Sequence, residues 1–125
     1  MERTYLENNA SFSENQMLEK WKSILGLFDW HIVLRTGCNL EDTGYSVGLT
    51  EWDEVHKAAI IKIINPSFYG ERIIPFDFEK TLVHELLHIK FALFDGFGDF
   101  QDRYLHQIID EFARILTIQE RRISS

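Results

Sequence analysis

The decapeptide TLVHELLHIK, residues 81–90, constrains this chain more than any other stretch, because it sets His84, Glu85 and His88 in the spacing H-E-x-x-H inside an apolar run. On an α-helix, residues four apart lie one turn apart on one side, so both imidazoles can aim at a single point. Leu82, Leu86, Ile89 and Leu93 recur at helical spacing and line a core-facing side. Such a helix needs a core behind it and open space in front. A buried helix with an ordinary histidine pair is the competing reading. It leaves Glu85 without a task where a plain core helix would carry leucine or valine.

Imidazole suits zinc, and a carboxylate next to the first histidine of this motif stands over the open metal position rather than on the metal. There it can take a proton from bound water, whose pKa a zinc ion lowers from about 15.7 to about 7. His84 and His88 are therefore candidate ligands and Glu85 a candidate general base. A catalytic zinc usually has three protein ligands, so a third must come from elsewhere. The close-spaced continuation H-E-x-x-H-x-x-G-x-x-H fails, because Phe91 stands in place of the glycine and Phe94 in place of the histidine. The remaining candidates, His106, Asp110 and Glu111, lie in YLHQIIDEFARIL, and His106 and Asp110 share a helix face.

Around this segment the pattern predicts α-β-β-β-α-α. A first helix over about 13–27 starts at Ser13, with Gln16 completing a capping box and Met17, Trp21, Ile24 and Phe28 at helical spacing. WHIVLRT (30–36), YSVGLTEW (45–52) and KAAIIKIIN (57–65) read as strands, the last two an antiparallel hairpin across the acidic link at 53–55. Pro66 ends the third strand, and residues 66–76 read as a loop. Asp77 is the expected N-cap of the motif helix. FDGFGDF (94–100) is an interhelical loop with glycines placed to hinge a flap. A last helix over about 102–119 carries Leu105, Ile109, Phe112 and Leu116 as its core stripe.

A chain of 125 residues, 45% hydrophobic, fits a single domain over 1–125, with 1–12 expected as a flexible N-terminal segment. A net charge of −7 without a basic stripe argues against nucleic acid as a partner. There is no signal-peptide core and no apolar run near the ~18 residues a bilayer span needs, so a cytoplasmic protein without membrane attachment is expected. The lone Cys38 excludes an internal disulfide and reads as a small packing residue.

The motif, the order of elements over 13–119 and HQIID (106–110) together resemble the zincin metallopeptidases. The arrangement is similar to gluzincins, whose helix after H-E-x-x-H carries a ligand and an aspartate four residues on, as E-x-x-x-D. Seventeen residues separate His88 from His106 here. The resemblance implies His106 as third ligand and Asp110 as a hydrogen-bond partner of a ligand imidazole. Histidine replaces the gluzincin glutamate. SprT-like metallopeptidases also resemble the chain in a distant histidine ligand, but their glycine-flanked context is absent. LGLFDWHIVL and LVHELLHI further resemble small metallopeptidase-like proteins of phages and mobile elements. The implied fold is α+β, a minimal zincin-like domain with a small, mostly antiparallel sheet packed on helices and the motif helix central.

The function so implied is a zinc-dependent metallopeptidase acting on peptide or protein substrates, with one catalytic Zn2+ and Glu85 as general base. In zincins the strand before the motif helix binds extended peptide at the sheet edge, which points to KAAIIKIIN. Tyr104, His56, His31 and Tyr69 are candidate oxyanion donors. The alternatives are a zinc-binding regulatory module of a phage or mobile element with little proteolysis, and a metal-free helical interaction protein.

Overall fold

The first helix starts at a capping box around Ser11. Its hydroxyl accepts from the Glu14 amide at 3.2 Å while Glu14 Oε1 accepts from the Ser11 amide at 2.8 Å. This capping box starts α1 (Phe12–Ile24) two residues before the Ser13/Gln16 box expected from the sequence. The helix stops at Ile24 because Gly26 takes a left-handed φ of 71°. Its amide donates to Ser23 O, and Leu27 N donates to Lys22 O, so the last carbonyls are satisfied by a Schellman turn. Phe28 therefore falls outside the helix and is exposed, as is Ile24, and the buried face is Leu18 and Trp21.

The computed structural model describes residues 8–92, 96 and 98–124. Within the segment expected to be flexible, Asn9 N donates to Leu34 O, and Thr36 N donates to Asn9 Oδ1. Part of the interhelical loop expected at 94–100 lies outside the described residues, as do Leu93 and residues 1–7.

Three strands follow, β1 (His31–Cys38), β2 (Gly48–Asp53) and β3 (Ala58–Ile64), in the spatial order β1-β3-β2. β2 and β3 form the expected antiparallel hairpin, whereas β1 runs parallel to β3. The sheet is thus mixed rather than mostly antiparallel. β3 is its centre, paired on both sides, which corrects its expected role as a peptide-binding edge. The near-continuous apolar run AAIIKII suits a strand covered on both flanks. Among the described residues, the sheet edge next to the motif helix belongs to β2.

After a 3-10 turn at Pro66–Phe68, α2 (Phe78–Lys90) begins at Asp77, whose side chain accepts from Lys80 N. Packing places α2 at the centre, touching α1, α3 (Asp99–Ser124), β2 and β3. Leu82, Val83, Leu86 and Ile89 meet Ile61, Ile63, Trp21 and Ile109 in one buried cluster. α3 is longer at both ends than predicted. Ile109 is buried as expected, but Ala113 takes the core place expected of Phe112, which is exposed. Cys38 is a buried free thiol. The architecture is α+β, three helices on a small mixed sheet, and among the described residues no helix is long and apolar enough to cross a membrane.

Candidate metal and catalytic site

α2 presents His84 and His88 one turn apart on the side away from its leucines, facing a cavity of about 630 Å³. α3 crosses this side and brings His106 and Asp110 into the same cavity. The rings of His84 and His106 lie 5.0 Å apart between centroids, those of His88 and His106 5.6 Å. One ring nitrogen from each of the three lies within 4.8 Å of the others. A tetrahedral ion with bonds of about 2.05 Å sets its ligand nitrogens about 3.3 Å apart. The Nε2 atoms of His84 and His88 stand 3.3 Å apart. The donor set fits a zinc ion, with the His84–His88 spacing at the tetrahedral value and His106 within 4.8 Å of both.

Asp110 Oδ1 lies 3.4 Å from His84 Nδ1, on the ring side opposite the nitrogen that faces His88. A carboxylate there fixes the tautomer and orientation of a ligand imidazole. Burial lowers the His84 pKa to about 4, with the positive fields of His88 and His106 adding to it and Asp110 opposing. A neutral ring is the form that binds metal. Glu111, the remaining ligand candidate, is exposed on α3 and does not line the cavity.

Glu85 also lines the cavity but is 5% exposed. Burial raises its pKa from 4.5 to about 7, against the pull of a hydrogen bond from Thr50. Thr50 Oγ1 donates to Glu85 Oε1 at 2.7 Å. A carboxyl balanced near neutrality can both accept and return a proton.

Of the expected oxyanion donors only Tyr69 lines the cavity, and its hydroxyl donates to Ile74 O at 2.7 Å. Tyr104, His31 and His56 do not line it; His56 sits in the β2–β3 turn beside Asp53. Sequence reasoning missed Gly48 and Thr50, which with Trp52 form the face of β2 turned toward α2. A glycine inside a strand often marks a close approach, and Gly48 carried that signal. In comparisons with protein-family models, curated proteins and solved structures, nothing matches this chain.

Proposed function

We propose that the protein is a zinc-dependent metallopeptidase of zincin-like design, with His84, His88 and His106 as ligands, Asp110 orienting His84, and Glu85 as general base. The convergence of three imidazoles on a cavity that also holds a buried carboxylate carries this reading. A bound zinc ion supplies a Lewis acid and an acidified water.

The chain's own residues do the rest. Glu85 accepts a proton at its carboxylate as the nucleophile forms, then returns it to the departing amine, which leaves the carboxylate ready for another cycle. Asp110 holds the His84 ring in one tautomer across 3.4 Å. Among the described residues, β2 and not β3 is the sheet edge beside the cavity, so an extended peptide docks there as an added strand. Such pairing favours unstructured substrates over stably folded ones.

Metal analysis of protein purified without added metal or chelator tests the reading. One zinc per chain is expected, lost in His84→Ala and His88→Ala, with hydrolysis of an unstructured peptide library that Glu85→Gln abolishes. Failure to take up zinc even when it is supplied excludes the enzyme. Stoichiometric zinc without hydrolysis of any peptide favours a zinc-binding regulatory module instead.

A further inference from the structure

The Glu85 carboxylate is held from two directions by one strand. Thr50 Oγ1 lies 2.7 Å from Glu85 Oε1 and 3.3 Å from Glu85 O. A hydroxyl has a single hydrogen, so the shorter bond to the carboxylate takes it. Two residues earlier, Gly48 faces the same side of β2. A Cβ added at Gly48 would lie 2.9 Å from Glu85 Oε2 and 3.1 Å from both Cδ and Cγ. Gly48 is not among the positive-φ glycines, so the space and not the backbone conformation demands glycine.

We propose that Thr50 is a positioning residue for Glu85 and that Gly48 is the gap in β2 that admits its carboxylate. The proposal rests on the peptidase reading for its catalytic meaning, but the contacts are testable apart from it. Thr50 anchors Oε1, and the bare backbone of Gly48 leaves room for Oε2 beside the cavity-lining stretch of β2. Without the hydroxyl, the side chain is free to leave its rotamer. A misplacement of about 1 Å in a reacting group can cost about a hundredfold in rate. The strand that docks the peptide thus also sets the position of the base that accepts the nucleophile's proton, which keeps the two in register.

The test uses the whole chain. Thr50→Val removes the hydroxyl at nearly constant shape, and Thr50→Ser keeps it. In an active enzyme, Thr50→Val is expected to lower kcat tenfold or more, with KM and zinc affinity within about twofold, and Thr50→Ser to recover most of kcat. In metal-free protein carrying carbon-13 at the glutamate δ-carbons, the Glu85 resonance is identified by its loss in Glu85→Gln. It should shift in Thr50→Val and return in Thr50→Ser. Gly48→Ala should lower Tm in the unmutated background and not in Glu85→Ala, where the clashing atoms are gone. An unmoved resonance in Thr50→Val, or an unchanged kcat in a peptide-cleaving enzyme, overturns the proposal. If Thr50→Val does not fold, the Gly48 pair decides, and equal losses of Tm in both backgrounds overturn it. A protein that cleaves nothing sinks the peptidase reading while the resonance and Tm measurements still judge the clamp.

Discussion

Glu79 and Glu85 both lie buried on α2, six residues apart, and their surroundings treat them in opposite ways. Burial alone would raise the Glu79 pKa, but hydrogen bonds from Trp21 and Lys20, with Arg121 beyond, bring it below the ordinary value. Trp21 Nε1 donates at 2.8 Å, Lys20 Nζ at 3.0 Å and Arg121 Nε at 3.2 Å. Arg121 also grips Asp77 through both guanidinium arms. The first turn of α2 is thereby stapled to α1 and to the last turns of α3. Glu85 lies deeper and has one neutral hydroxyl as partner, and burial raises its pKa to about 7. One end of the helix spends a carboxylate on rigidity. The middle keeps one facing the cavity, with a single neutral partner.

The largest effect that separates the two is on activity. Glu85→Gln should lower peptide hydrolysis by about a thousandfold with zinc retained, whereas Glu79→Gln should leave the rate per folded molecule within about twofold; steady-state assays on zinc-loaded protein decide. Next come the ligands. His106→Ala should weaken zinc binding by more than about a hundredfold, and Asp110→Asn by about tenfold, because loss of a ligand exceeds loss of the group that orients one. Chelator competition measures both, and a reversed order would make Asp110 the ligand.

Stability gives a smaller contrast. Glu79→Gln removes the negative charge from a buried cluster and should cost about 2 kcal/mol, a figure reduced for the partial exposure of Lys20 and Arg121. Glu85→Gln, which relieves an unpaired buried carboxylate, should cost nothing above pH 7 in chemical denaturation. The smallest effect is the pH dependence of the metal-free protein. Glu85 has its folded pKa raised from 4.5 to about 7, so its contribution is full below 4.5 and is lost as pH rises through 7. His84 has its folded pKa lowered from 6.5 to about 4, so its contribution is full above 6.5 and is lost as pH falls through 4. Between these limits the two oppose each other. Glu85→Gln exposes the His84 slope, and acidification from pH 6.5 to 4.5 should then destabilise the variant more than the unmutated protein.

The elements that rest on local rules were legible in the chain. Asp77 caps α2 as its position predicts, and the β2–β3 hairpin forms across its acidic link. Boundaries set by competing local signals were not. The sequence offered Ser13 as the cap of α1, whereas Ser11 caps it with Glu14 closing the reciprocal bond. β1 has no local partner, and its parallel pairing to β3 depends on where the intervening hairpin folds back. That pairing makes β3 the centre and hands the free edge to β2, a swap no pattern within one strand records. In the candidate site, the four-residue spacing of His84 and His88 carried the pair, while the choice among His106, Asp110 and Glu111 needed the crossing of α3.

Helical periodicity by itself determined that His84 and His88 share a side of α2, because the angle per residue is a property of the backbone. Only the tertiary structure decided what meets that side and the neighbouring Glu85: His106 from α3 beside the two histidines, and Thr50 and Gly48 from β2 against Glu85. Those partners are distant in sequence, and their approach is set by how the leucine face of α2 packs against the sheet and by the Arg121 staple at its first turn.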